Sequence, residues 1–411
     1  MEDSLDNTTQ PHDDDAVEQA PPEQSAEMTP EQSAEMTPEQ SAEMTPERLA
    51  EAKQYGRLSL YCDLADKALD LGFLVVVALA LAVPLDRWLA ERITNDTARL
   101  AAIFIVITLG HMAISFPLSA YAGYVLEHRF GLSRLTFARW LGRYAKRNFL
   151  ALALGLALFV LLYQVIWYVG DWWWLAAAAG FFLVSVMLGQ LMPVLILPLF
   201  YKVERLDNEE LSGRMARLAE GTGLSIQGVY RLGMSTETSK ANAMLAGMGR
   251  TRRVLMGDTL LDEFSPDEIE VIFAHEIGHH VFRHIRKMVI TGVLYSVVGF
   301  WVCSRVLLAW AGVHYGVTEA SQLPPATLPL LMLVLTVFSL LLEPLQNAIS
   351  RRYERQCDRY ALERTGMREA YVSAFRKLAR LNKDDPDPHA LEVFLFHSHP
   401  PIGQRLAMAD E

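Results

Sequence analysis

Six long runs free of Asp, Glu, Lys and Arg, or nearly so, set the terms on which this chain can fold. They occupy Leu71–Leu85, Ala101–Leu126, Phe149–Gly170, Trp172–Tyr201, Met288–Trp310 (interrupted by Arg305) and Leu323–Leu342. Hydrocarbon offers a backbone no hydrogen bonds, so runs of this kind predict transmembrane helices. The first is the weakest, with fifteen residues and Pro84 near its end; it spans if it tilts little or borrows its neighbours. Trp172-Trp173-Trp174 opens the fourth run, as aromatic residues do at a membrane interface. The expected fold class is mainly α: a polytopic membrane protein of about six transmembrane helices.

The remaining residues are segregated. Residues 1–50 hold fourteen acids and one base, Arg48, so the chain's net charge of −11 leaves +2 for everything after them. The octapeptide Pro-Glu-Gln-Ser-Ala-Glu-Met-Thr begins at Pro22, Pro30 and Pro38. A period of eight fits neither helix nor heptad, and a segment without aromatic residues cannot bury enough area to order itself. Residues 1–47 are therefore expected to be a disordered acidic tail, and the first twenty have no apolar core for a signal peptide. The organisation that follows is a membrane domain over 48–201, an insertion over 202–287, two further spans within 288–349, and a charged tail over 350–411.

Loop charge orients these pieces. Glu127–Arg147 carries Arg129, Arg134, Arg139, Arg143, Lys146 and Arg147 against one acid, while the third connection has only Asp171 and the last only Glu319. The positive-inside rule puts the second connection, and by alternation the insertion and the C-terminal tail, in the cytoplasm. A bacterial inner membrane, or an organellar membrane, is the expected location. No basic patch interleaved with aromatics points to nucleic acid. Cys62, Cys303 and Cys357 form neither a disulfide framework nor a C-x-x-C pair.

Chemistry is concentrated in Ala274-His275-Glu276-Ile277-Gly278-His279-His280. This is H-E-x-x-H within a helical pattern running from Pro266 to Val281. Residues four apart share a helix face, so His275 and His279 can ligate one Zn²⁺, with Glu276 beside them as base for a metal-bound water. A metzincin would continue with Gly and His where Phe282 and Ile285 stand, so that reading fails. His280 and His284 do not share the face of His275 and His279. After the last span, Glu354 and Asp358 lie four apart on a second helical stretch, Ser350 to Arg364. One carboxylate could ligate zinc with the other behind it, or the pair could belong to an ordinary charged helix.

H-E-x-x-H, then two spans, then Ser350-Arg351-Arg352-Tyr353-Glu354-Arg355-Gln356-Cys357-Asp358 resembles the order in the CAAX prenyl protease type 1 family and its bacterial relatives. Glu127-His128-Arg129-Phe130-Gly131-Leu132 resembles that family's E-x-x-F-G-F loop. Pro193–Phe200, Ser239-Lys240-Ala241-Asn242-Ala243, and His399-Pro400-Pro401 with Arg405 are similar to further family segments. Cys357 stands where the family has Ala, and the six spans compare with seven in eukaryotic members.

The resemblance implies a zincin-type metalloprotease domain with a small β-sheet, split between insertion and tail. It implies one zinc held by His275, His279 and Glu354, with Glu276 activating water. Asp358 would support a ligating histidine or assist proton transfer, and His399 and Arg405 would donate to the tetrahedral intermediate. Asn242 and Ala243 would bind substrate on an edge strand, Asn242–Met248 forming a hairpin with Arg252–Gly257 that turns at Gly249. The implied partner is a peptide or protein, prenylated at a C-terminal Cys, met in the bilayer. A general membrane quality-control protease is the second reading, and a non-catalytic scaffold is disfavoured by the intact His275, Glu276, His279 and Glu354.

Overall fold

The structure, a computed structural model, describes residues 45–224, 227–247 and 252–411. The expected acidic tail, apart from its last residues, and the expected turn at Gly249 lie outside the described residues. Thr45, the last residue of the third repeat, caps the first helix by accepting the Arg48 N–H at 3.3 Å. Pro46 follows at a position where its missing N–H costs nothing. Helix α1 (Pro46–Val76) continues through a wide π turn, Val77–Leu81, and on to Ala90. The weakest expected span is thus part of a 45-residue helical stretch. Pro84 cannot donate to the residue four before it, and the wider turn just ahead of it absorbs the defect.

Among the described residues, five helical stretches are long and apolar enough to cross a membrane. They contain α1 with its continuation to Ala90, α2 (Asp96–Ala120), α3 (Phe137–Val169), α4 (Trp173–Leu191) and, after the insertion, two more helices. The third stretch, Phe137–Phe200, is broken at Gly170, whose φ of 66° is a left-handed value that glycine adopts freely. The third and fourth expected spans are therefore both inside it. Leu100, Ile103, Tyr163, Trp173, Phe300 and Leu331 belong to one buried cluster that unites these helices. Tyr163 and Thr327 share a hydrogen bond of 2.8 Å within it, and the Trp167 indole donates to the Leu323 carbonyl at 2.9 Å.

The insertion opens with β1 (Lys202–Arg205) and α5 (Glu209–Ala219), followed by β2 (Gly228–Gly233), β3 (Ala243–Ala246) and β4 (Arg253–Gly257). The sheet order is β1-β2-β4-β3. β2 and β4 are parallel and the outer pairs antiparallel, which makes β3 an edge strand. It is shorter than the expected Asn242–Met248. Then come α6 (Pro266–Val281), α7 (His284–Tyr315), α8 (Leu328–Thr365), α9 (Arg368–Asn382) and the short α10 (Ile402–Ala407).

Helix α6 starts where its capping box dictates. Ser265 accepts the Glu268 N–H at 3.3 Å and Glu268 accepts the Ser265 N–H at 2.7 Å. It buries Ile269, Val271, Phe273, Ala274 and Ile277 in a core shared with Met215 and Met256 from the insertion and Tyr371 and Phe375 from the tail. Insertion and tail therefore pack as one body. The borders at 287/288 and 349/350 both fall inside helices, α7 and α8. The helices that carry the last two apolar runs are thus continuous with the elements of the site.

Candidate metal centre and peptide cleft

Two imidazoles one turn apart on α6 meet a carboxylate delivered by α8. His275 Nε2 lies 3.2 Å from Glu354 Oε2, and His279 Nε2 lies 3.3 Å from Glu354 Oε1. Glu354 is only 4% exposed, and its Oε2 has no hydrogen-bond donor among the described residues. Two ring nitrogens converging on the two oxygens of one buried carboxylate, with no well-aligned hydrogen bond to Oε2, make a space that a cation can share. The donor set of two imidazoles and a carboxylate suits a divalent metal of the zinc type. His275, His279 and Cys357 also offer ligand atoms within 4.8 Å of one another. The Cys357 thiol, however, is fully buried and sits 3.6 Å from His284 Nδ1, whereas both Nε2 atoms face Glu354.

Behind these groups the partners are ordered. His275 Nδ1 donates to Asp358 Oδ1 at 2.8 Å. Arg405 grips the same carboxylate with Nη2 on Oδ1 at 2.5 Å and Nε on Oδ2 at 2.9 Å. Burial alone would pull the His275 value down; the Asp358 carboxylate outweighs it and, with the contact to Glu354, pushes it up to about 9. The Arg405 guanidinium lies 3.9 Å over the Phe375 ring, and the Tyr371 hydroxyl donates to its carbonyl at 3.3 Å. Arg405, expected to donate to the tetrahedral intermediate, lines the same cleft as His275 and Glu276. Its fork also holds Asp358, and its flat face lies on an aromatic ring.

His279 is backed by a residue the motif does not flag. His284 follows the bend at Arg283, where φ is 57°, and its Nδ1 comes 3.2 Å from His279 Nδ1. His284 Nε2 faces Gln356 Oε1 at 3.0 Å, and its ring stacks on Tyr353 at 4.1 Å. The Gln356 oxygen can only accept, so His284 Nε2 carries its proton and Nδ1 accepts from His279 Nδ1–H. That leaves the lone pair of His279 on Nε2, toward Glu354. Only the fold brings residues 279, 284 and 356 together.

A cleft of about 550 Å³ runs past His275, lined by Asn242, Ala243, Glu276 and His399 among others. The Leu245 N–H, on the open edge of β3, donates to Glu276 Oε2 at 3.3 Å. The Asn242 carbonyl accepts the Gly257 N–H at 2.9 Å, fixing the start of β3. His399 is exposed, with Nε2 3.6 Å from Glu354 Oε2 and Nδ1 3.0 Å from Ser398 Oγ. His280 turns away, its Nδ1 accepting from Arg252 at 2.5 Å. Two of the sequence motifs interlock beside the cleft. Thr238 Oγ1 donates to the Leu132 carbonyl at 2.8 Å, while Lys240 reaches Glu127 at 3.0 Å and the Tyr55 hydroxyl at 3.0 Å.

The family model described as peptidase family M48 matches residues 205–411. The model described as the CAAX prenyl protease N-terminal region, with five membrane helices, matches residues 27–202. Among the described residues of that region, four apolar helices are seen. An uncharacterized metalloprotease, YhfN, of Bacillus subtilis is 28% identical over 88% of this chain and 85% of its own length. CAAX prenyl protease 1 of Saccharomyces cerevisiae is 29% identical over 72% of this chain and 69% of its own. The crystal structure of S. mikatae Ste24p superposes with a TM-score of 0.77 at 24% identity, covering 89% of each chain, and shares the fold. The chain is a multi-pass membrane metalloprotease belonging to peptidase family M48, with a CAAX prenyl protease N-terminal region ahead of its peptidase part.

Proposed function

We propose that this protein is a zinc endopeptidase that cleaves peptides near a prenylated C-terminal Cys. The observation that carries the reading is the convergence of His275 Nε2, His279 Nε2 and the Glu354 carboxylate beside an open strand edge. These three residues would hold the zinc. When bound, zinc supplies Lewis-acid activation of a water and of the scissile carbonyl.

The protein's own residues do the rest. The free edge of β3 presents the peptide group of Ala243 and the carbonyl of Leu245, which point away from β4, and a substrate strand pairs there. Asn242 sets where that strand begins. Glu276 accepts the proton of the attacking water and passes it to the leaving amine. His399, exposed at the cleft, donates to the substrate oxygen as it gains charge. Asp358 holds His275 Nδ1–H, and Arg405, at the cleft wall, holds Asp358. Tyr55, Gly56 and Leu60 of α1 line the cleft, a wall fitted to a substrate whose lipid stays in the bilayer. The six basic residues in 127–147 favour a cytoplasmic face for the site, in a bacterial inner membrane.

The test compares wild type with Glu276→Gln on a farnesylated CAAX peptide and on unmodified casein. The proposal expects cleavage of the farnesylated peptide and its loss in the variant. Equal activity in wild type and variant would remove the mechanism, and turnover of casein alone would replace prenylated substrates with general membrane quality control.

A further inference from the structure

A second cavity, of about 960 Å³, opens beside His279 and His280 at the end of α6, and the peptide cleft makes no use of it. Its polar wall carries Arg252, Arg283, Arg286 and Arg364 against a single carboxylate, Glu220. Among the described residues none of the four arginines rests on a carboxylate. Arg252 spends Nη1 on His280, and its Nε is buried without a partner. Arg364 donates to the carbonyls of Leu218 and Glu220 at 3.5 and 3.3 Å. Arg283 and Arg286 project into the opening and are exposed.

Four guanidinium groups sharing one cavity repel one another, and part of this charge is already desolvated, so an anion there is strongly favoured. The flat guanidinium fork matches the paired oxygens of a phosphate. The opposite wall has a different character. Phe182 and Val186 come from α4, and Ile285 and Val289 from α7, both membrane helices. A free phosphate would leave that wall bare, and an acidic peptide would have no use for it. An amphiphile satisfies both walls.

We propose that this cavity binds the phosphate headgroup of an anionic phospholipid, with its acyl chains running along α4 and α7. Basic recesses between transmembrane helices at headgroup depth are suited to such lipids. The cavity borders His279 of the candidate metal centre but shares no lining residue with the peptide cleft, and its assignment does not depend on which face of the membrane the protease domain occupies.

The test uses the full chain in phosphatidylcholine nanodiscs, with association of spin-labelled phosphatidylglycerol read against spin-labelled phosphatidylcholine. Wild type should select phosphatidylglycerol. Arg286→Gln, at an exposed position, should lower that preference about fivefold, and the double variant with Arg252→Gln about thirtyfold. Arg286→Lys should keep most of it, and Arg92→Gln, paired with Glu91 in another loop, should change nothing. Melting temperatures in pure phosphatidylcholine verify that each variant is folded. No preference in wild type, or an unchanged preference in the folded double variant, would overturn the proposal. Displacement of the labelled lipid by inorganic phosphate, or by a peptide of the chain's own PEQSAEMT repeat, would reassign the cavity to a free phosphate or an acidic peptide.

Discussion

Gly278 and Cys357 bring α6 and α8 into backbone contact. A Cβ added at Gly278 would lie 3.0 Å from Cys357 Cα and 3.1 Å from its Sγ. Gly278 falls between the two histidines of the motif, and Cys357 between Glu354 and Asp358. The closeness of these two residues therefore sets how near the carboxylates come to the imidazoles. Gly278→Ala must push the helices apart, since the Cα it meets cannot rotate away. Overpacking of this kind costs about 1–3 kcal/mol. Here the displacement falls on the gap between Glu354 and the histidines. We expect metal affinity to drop at least tenfold with the fold retained, measured by chelator competition and circular dichroism. Full metal affinity in a folded Gly278→Ala protein would show that the contact does not set the site.

The second expectation concerns pH. His275 holds a proton up to about 9 because Asp358 and Glu354 outweigh the effect of its burial. Ligation needs the Nε2 lone pair, so a metal must displace that proton. Apparent affinity should rise with pH toward 9 and fall about tenfold for each unit below it. Zinc titrations against a chelator at pH 6, 7 and 8 measure the slope. A flat profile would mean that His275 binds no proton the metal has to remove.

His284 gives a third. Its Nδ1 accepts a hydrogen bond from His279 Nδ1–H and its Nε2 donates to Gln356, which keeps the His279 lone pair on Nε2. His284→Phe preserves the aromatic stack on Tyr353 but removes the acceptor. Groups that orient a metal ligand from behind typically contribute about 10–100-fold in affinity. We expect a loss in that range with the melting temperature of the apoprotein little changed. A fall in melting temperature with metal affinity intact would reduce His284 to a packing role.

Some of this arrangement could be read before any coordinates. The placement of His275 and His279 on one face follows from helical period alone, and the membrane runs follow from what hydrocarbon forbids. Glu354 is different, because spacing leaves it level with an ordinary charged helix until the resemblance is considered. The continuity of α8 from the membrane to Thr365 was hidden, since charge ends the apolar run at Glu343 but does not end a helix. His284 was hidden for a conformational reason. Its approach to His279 needs the left-handed turn at Arg283, which no periodicity announces in a residue with a Cβ. The use of Arg405 depended on tertiary packing, because Phe375 and Asp358 reach it only once α9 closes over the core.

The last expectation tests how α9 is tied to the start of α6. Lys377 Nζ donates to Glu268 Oε2 at 2.8 Å and to the Glu263 carbonyl at 3.0 Å, with both charged side chains under 10% exposed. Glu268 also accepts from Ser373 Oγ at 2.6 Å while capping α6 through Ser265. Neutralising one member of a buried pair strands the other charge, and that asymmetry costs about 3–5 kcal/mol, whereas removing both can be nearly neutral. Glu268→Gln should therefore destabilise strongly, and Lys377→Met alone should do so as well. The double variant Glu268→Gln/Lys377→Met should recover much of the loss, because no buried charge is left without a partner. Equilibrium unfolding of the four proteins in one detergent gives the coupling directly. If the two single losses simply add in the double variant, the pair is not acting as a unit, and α9 is held on α6 by Tyr371, Ala374 and Phe375 instead.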